Sequence, residues 1–216
     1  MNLRILVADD HEVVREGLRA LLEKDTGWQV CGEASNGREA VQLVSELAPD
    51  VVVMDLAMPE LNGVEATRQI LRVRPKTSVL ILSARQSDDV VREVLEAGAR
   101  GFVLKTDAAK DLVAAVDGLR LGRPFFSARV AELVVRGYLK GDTPQSNSVP
   151  QVGLTPRERE VLQLLAEGRT NKEVADVLGI GVKTAETHRT NLMRKLSVRS
   201  LPDLVRYAIR NHLVEP

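Results

Sequence analysis

Five short apolar runs, residues 3–8, 29–34, 51–56, 79–83 and 101–104, alternate with five longer amphipathic stretches over the first 121 residues. This alternation constrains the chain more than any other feature. Near-continuous runs of Val, Ile and Leu suit strands covered on both faces, as in a parallel sheet. The intervening stretches, 13–23, 38–47, 64–72, 88–97 and 108–121, repeat at helical spacing; in the first, Val14, Leu18, Leu21 and Leu22 oppose Arg15, Glu16 and Arg19. Five strand-then-helix units predict a doubly wound α/β domain with a five-stranded parallel sheet, spanning residues 1–122.

The remainder reads differently. Val130, Leu133 and Val134 suggest one helix within 123–140, and 141–151 is polar with two prolines, so 123–152 reads as a linker carrying one helix. From Leu154 the period is helical throughout. Thr155-Pro156-Arg157-Glu158 and Thr170-Asn171-Lys172-Glu173 are both capping boxes, Gly168 and Gly179 supply breaks, and Ser200 can cap a last helix. Residues 153–216 are therefore expected to form a small all-α bundle.

Formal charge is zero overall but unevenly placed. Residues 1–121 hold 15 basic and 20 acidic side chains (net −5), 122–152 hold 4 and 2 (+2), and 153–216 hold 11 and 8 (+3). Only the C-terminal part is suited to a polyanion. The start, Met-Asn-Leu-Arg, has no signal-peptide pattern, and no run approaches the about 20 apolar residues of a membrane span. A cytoplasmic protein without membrane contact is expected. The single cysteine, Cys31, excludes an internal disulfide and reads as a core thiol.

Ligands of open α/β sheets bind beyond the carboxyl ends of the strands. Asp9 and Asp10 end the first strand, Asp55 the third, Ser83 the fourth and Lys105 the fifth. Carboxylates crowded at one edge repel unless a cation sits among them, and hard oxygen donors suit Mg2+. The first turn reads Ala8-Asp9-Asp10-His11, without the glycines a dinucleotide requires. One aspartate could act as a nucleophile toward a phosphoryl group, with the lysine and hydroxyl neutralising its oxygens. His11 flanks this edge without a sequence partner that would make it a base.

In the C-terminal part, a short helix, a break at Gly179-Ile180 and a longer helix make a helix-turn-helix pattern, with small Ala175 where the helices cross. On the longer helix Ala185, His188 or Arg189, Leu192 and Leu196 mark the inward seam. Lys183, Glu186, Thr187, Thr190, Asn191 and Arg194 lie opposite, a set suited to the DNA major groove. His188 and His212 with one cysteine do not build a zinc site. Three readings stay open on the residues alone: a DNA-binding switch, a phosphohydrolase working through an aspartyl phosphate, and an adaptor indifferent to phosphorylation. Ala57, two residues after Asp55 where a second acid would stand, argues against the enzyme.

Several motifs are more specific than these patterns. They are Val7-Ala8-Asp9-Asp10-His11, the segment Met54-Asp55-Leu56-Ala57-Met58-Pro59-Glu60-Leu61-Asn62-Gly63, Leu82-Ser83-Ala84, and Gly98-Ala99-Arg100-Gly101-Phe102-Val103-Leu104-Lys105. With them residues 1–121 resemble a response-regulator receiver domain. The whole chain, through 154–162 and Asn171-Lys172-Glu173-Val174-Ala175, resembles the NarL/FixJ family with its LuxR-type helix-turn-helix. The resemblance implies a two-component transcription regulator rather than an enzyme. Asp55 would accept phosphate from a cognate sensor histidine kinase, the receiver assisting its own Mg2+-dependent phosphorylation and dephosphorylation.

By the same resemblance, Asp10, Asp55 and the backbone carbonyl of Ala57 would hold Mg2+, with Asp9 acting through water. Lys105 would pair with the phosphoryl group, Ser83 would hydrogen-bond to it, and Phe102 would swing inward as the switch aromatic. Leu204, Val205, Ala208 and Ile209 would form the dimer face of a homodimer when phosphorylated or on DNA, with RNA polymerase as a further partner. Departures from the commonest pattern are Ser83 for Thr, Phe102 for Tyr, Thr106 for Pro, Gly181 for Ser at the recognition-helix cap, and Ala185 for Val. Ala57 and Arg85 stand where the family tunes the lifetime of the phosphate.

Overall fold

A computed structural model describes residues 2–24, 27–84, 87–127, 130–132, 154–211 and 213–214. The chain divides into two compact units. The first runs β1 (Arg4–Ala8), α1 (Glu12–Glu23), β2 (Gln29–Ala34), α2 (Gly37–Leu47), β3 (Val51–Asp55), α3 (Gly63–Val73), β4 (Ser78–Ser83), α4 (Asp88–Glu96), β5 (Gly101–Leu104), a 3-10 turn (Lys105–Asp107), α5 (Ala108–Arg120) and β6 (Phe125–Phe126). Every apolar run expected as a strand is one, with boundaries within a residue. The strands are covered on both sides: β3 and β4 are buried at every position, which is why they read as continuous Val/Ile/Leu rather than as alternation.

The sheet is parallel, in the order β2-β1-β3-β4-β5-β6. It has six strands rather than five. The addition, Phe125–Phe126, pairs with Gly101 and Phe102 and covers the outer edge of β5. This segment was expected to lie in a linker and helix; two aromatics flanking an otherwise open edge gain ladder bonds and burial there. Residues 130–132 are helical. The rest of the expected helix, with Leu133 and Val134, and the stretch 141–151 lie outside the described residues.

Between β1 and β3 the chain order reverses, so their carboxyl ends diverge into a crevice. One face of the sheet carries a core of Ile5, Val7, Leu18, Leu22, Val53, Leu80, Leu82, Val103, Leu112 and Val116. Helices α2, α3 and α4 begin at Asn36, Asn62 and Ser87, whose side chains accept from Glu39 N, Glu65 N and Val90 N.

The second unit contains α6 (Pro156–Ala166), α7 (Asn171–Leu178), α8 (Val182–Lys195) and α9 (Leu201–Arg210). Both expected capping boxes are formed, at Thr155/Glu158 and Thr170/Glu173, and Ser200 caps α9. Gly179 ends α7 at φ +61°, a left-handed conformation that favours glycine, and its N–H returns to the carbonyls of Ala175 and Asp176. Ala175 is 1% exposed, packed with Leu162, Leu165, Ala185, Leu192, Leu204 and Ala208 in one core.

Candidate functional site

The β1, β3 and β5 ends bring the expected acids and lysine together. Lys105 Nζ lies 2.8 Å from Asp9 Oδ2 and 3.0 Å from Asp55 Oδ2. Asp9 and Asp55 are buried, at 0% and 3% exposure. The other oxygen of each meets a backbone amide: His11 N donates to Asp9 Oδ1 at 2.9 Å and Leu56 N to Asp55 Oδ1 at 2.8 Å. Asp10 is exposed and its Oδ1 lies 2.7 Å from His11 Nδ1, while Asp9 Oδ1 lies 3.3 Å from the same nitrogen. His11 therefore does have carboxylate partners, contrary to the sequence expectation; they are its immediate neighbours, folded back by the β1–α1 turn.

Burial pushes the Asp55 carboxyl up to about 6, against the pull of Lys105 and with the repulsion of Asp9. Burial also works against the charge on Lys105, but its bonds to Asp9 and Asp55 outweigh that and hold its pKa above the ordinary value. The site thus keeps two carboxylates around one ammonium at the cost of desolvating all three. Ser83 is buried at the end of β4, and Phe102 is fully buried in β5. Ala57 is half-buried in the loop after β3, and Arg85 lies outside the described residues.

Hard oxygens dominate the donors, with Asp9, Asp10 and the His11 imidazole able to bring one ligand atom each within 4.8 Å of one another. Together with Asp55 across the lysine, this donor set fits Mg2+.

Three supporting residues were not singled out from sequence. Arg15 Nη1 donates to the backbone O of Asp9 at 2.8 Å and its Nε to Glu33 at 3.3 Å, bracing the turn that carries both acids. Gly63 packs against the backbone of Asp55 and Leu56, and its N–H donates to Leu56 O at 2.9 Å. The motif contained Gly63, but nothing in a sequence states a contact distance. Cys31 is half-buried in β2, and burial raises its thiol pKa.

In the second unit, Lys183, Thr187, Thr190 and Arg194 are exposed on α8, with Glu186 and Asn191 half-buried beside them. Lys183 Nζ pairs with Glu186 at 3.0 Å, and Arg194 Nη2 donates to Asn191 Oδ1 at 3.2 Å. Thr187 Oγ1 donates to Lys183 O and Thr190 Oγ1 to Glu186 O, both at 2.9 Å. Ala185 and Leu192 are buried, so the inward seam is as expected, while His188 and Arg189 are half-buried. Gly181 makes no side-chain cap bond at the start of α8.

The third supporting residue is Lys195, at the end of α8. It lies 2.7 Å from the buried Glu158, which also accepts from Thr155 N at 2.8 Å and Thr155 Oγ1 at 3.0 Å. Burial raises the Glu158 pKa, but these bonds win and hold it below the ordinary value. That contribution is present above the usual carboxylate pKa and disappears as pH falls through the depressed one. Glu158→Gln should lower the stability of this unit by about 1–3 kcal/mol at pH 7. Hydrogen exchange at α6 and α8 amides checks it: protection should fall, and the difference from wild type should shrink at low pH.

The expected dimer face on α9 is divided. Leu204 and Ala208, at 1% and 0% exposure, belong to the core of their own unit and are removed from that set. A stripe spaced i, i+4 on a short helix serves first to hold the helix to its neighbours. Val205 and Ile209 remain half-buried.

Residues 5–117 match the family model described as "Response regulator receiver domain", and residues 152–208 match "Bacterial regulatory proteins, luxR family". The transcriptional regulatory protein LiaR of Bacillus subtilis is 43% identical over 98% of this chain and 99% of its own. The response regulator protein VraR of Staphylococcus aureus is 36% identical over the full length of both. Among solved structures, the response regulator RcsB of Salmonella typhimurium matches with TM-score 0.64 at 29% identity over 95% of this chain and 96% of that one. An RcsB–DNA complex matches with TM-score 0.58 at 29% identity over 96% and 98%.

Proposed function

The chain belongs to the response regulators that join a receiver domain to a LuxR-type DNA-binding domain, and from that premise we propose that Asp55 is the residue that takes the phosphoryl group and thereby controls DNA binding by α8. The observation that carries this is the buried pair of carboxylates bridged by Lys105. Asp55 Oδ2 attacks phosphorus on the phosphohistidine of a sensor kinase; the N–P bond breaks and the imidazole nitrogen takes up a proton. Lys105 moves from neutralising two carboxylates to pairing with a phosphoryl oxygen, and Ser83, one residue beyond Leu82, the sheet partner of Asp55, is placed to donate to another. Asp9, Asp10, Asp55 and the Ala57 carbonyl would hold Mg2+, which supplies positive charge for the phosphoryl oxygens. Phe102 is the aromatic that responds to Ser83.

The same reading divides the chain into receiver 1–122, connector 123–152 and DNA-binding domain 153–216. Lys183, Glu186, Thr187, Thr190, Asn191 and Arg194 face the major groove. RcsB has been solved as dimers bound to DNA; by analogy this chain pairs on its operator through the half-buried apolar side of α9, Val205 and Ile209, in reach of RNA polymerase. Among the described residues no helix is long and apolar enough to cross a membrane, which fits the cytoplasm as the place of action.

Incubation with acetyl phosphate and Mg2+ should add about 80 Da at Asp55, raise operator affinity over the untreated chain, and do neither in Asp55→Asn. An adduct at another residue, or none, would overturn the assignment. The same variant has a second expected effect. Because the Asp55 pKa is raised from 3.8 to about 6, the unfolded chain ionises first as pH rises between these values, so stability is lost across that window. Without divalent ions, Asp55→Asn should therefore be more stable than wild type by about 1–3 kcal/mol at pH 7 and indistinguishable below pH 4. Urea unfolding at the two pH values reads the difference.

A further inference from the structure

We propose that Thr187 and Thr190 read the operator through their methyl groups, selecting thymine at the major-groove positions they face. The inference rests on the DNA-binding reading above and adds what that helix recognises. Both threonines are exposed, three residues apart on α8, which sets them on one face about 5–6 Å from each other. That span covers one to two base steps at about 3.4 Å each.

Each hydroxyl lies 2.9 Å from the carbonyl four residues earlier, Thr187 on Lys183 and Thr190 on Glu186. A carbonyl only accepts, so the hydroxyl proton is committed to the helix in both cases. Neither threonine then has a donor for guanine O6 and N7, adenine N7 or thymine O4, the acceptors of the major groove. With its proton engaged, each Oγ1 can only accept, as from a cytosine or adenine amino group, and the Cγ2 methyl is the other group left to meet a base. The only apolar group that base edges present in the major groove is the thymine C5-methyl.

The neighbours fit this division of labour. Glu186, paired with Lys183 at 3.0 Å, can only accept, and Asn191 already has its oxygen engaged by Arg194 at 3.2 Å. Between these polar groups the two methyls make a small apolar patch, and burying one methyl against another removes both from water without breaking a hydrogen bond.

The test uses the full chain treated with acetyl phosphate and Mg2+, selecting binding sites from random duplexes. Each thymine of the selected site is then replaced singly by deoxyuridine, which removes only the C5-methyl. One or two thymines in each half-site should each lose about fourfold in affinity, the burial of one methyl group expressed as a ratio. Thr187→Ser and Thr190→Ser, which keep the hydroxyl and lose the methyl, should each abolish the thymine-over-uracil preference at one of these positions. Thr187→Val, which keeps a methyl and loses the hydroxyl, should retain the preference. Equal binding of thymine and uracil sites by wild type overturns the proposal, as does a preference that survives in the serine variants and vanishes in valine. A chain that selects no sequence overturns the DNA-binding reading and this inference with it.

Discussion

Lys105→Met should lose about 2–4 kcal/mol of stability at pH 7 in the absence of divalent ions, and phosphorylate at Asp55 about a hundredfold more slowly in their presence. The lysine is the one cation within 3.0 Å of both Asp9 and Asp55 among the described ion pairs. Removing it leaves two buried carboxylates facing each other, and breaking a buried charge pair by deleting one partner is more damaging than never having built it. Lys105 is itself 24% exposed, so water enters the gap and keeps the loss at the lower end of the buried-pair range. The rate falls because a fixed charge aimed at the transferring phosphoryl group stabilises the transition state, with single donors of this kind contributing about a hundred- to a thousandfold.

The pattern of rescue separates this account from simple loss of packing. Asp55 already carries a pKa near 6, and without the lysine it rises further, so acidification to pH 5 should restore much of the stability by neutralising one carboxylate. Millimolar Mg2+ should restore it at pH 7, and stabilise the variant more than wild type. Thermal unfolding at two pH values, with and without Mg2+, shows both effects; equal losses under all four conditions would mean that the charge is not what matters.

Gly63→Ala should be nearly as damaging by a different route. A Cβ at Gly63 would collide with the backbone O of Asp55 and lie 3.0 Å from Leu56 Cα. Main chain, unlike the end of a flexible side chain, cannot step aside without moving β3. The expected cost is about 3 kcal/mol, in the range of overpacked interiors. The displaced atoms include those of the phosphoryl acceptor, so the rate should fall by about a hundredfold as well, a loss expected for misplacement of about 1 Å. Asn62→Ala supplies the contrast. It removes the cap to Glu65 N, with an expected cost of about 1 kcal/mol and little change in rate. Urea unfolding and the initial rate of acetyl-phosphate labelling measure all three proteins, and a Gly63→Ala chain that matches Asn62→Ala in both would contradict the packing argument.

Much of this architecture was legible before any coordinates. Val51-Val52-Val53-Met54 suited a covered strand, and Thr155-Pro156-Arg157-Glu158 the start of a helix, because burial on two faces and the satisfaction of orphan amides are local demands with local solutions. The candidate site was legible for a related reason. Once five strands run parallel, their last residues must share an edge, so Asp9, Asp55, Ser83 and Lys105 converge without any distance being known. What escaped was whatever joins residues far apart in sequence with no periodic signature. Arg15 on Asp9 and Glu33, Lys195 on Glu158, and the Phe125–Phe126 strand beside β5 are of this kind. The α9 stripe was half legible: its period announced an apolar face, but not that Leu204 and Ala208 would be taken up by their own core.

Element order, strand edges, helix caps and the chemistry available at the sheet's carboxyl edge were therefore set by the amino-acid sequence alone, since each follows from periodicity, capping and the uniform direction of parallel strands. Which carboxylate is buried, which hydroxyl has already given up its proton, and how closely Gly63 approaches Asp55 were decided only by the tertiary structure. These are properties of ångström-scale separation and local dielectric, and both come into being only when segments distant in the chain are packed together.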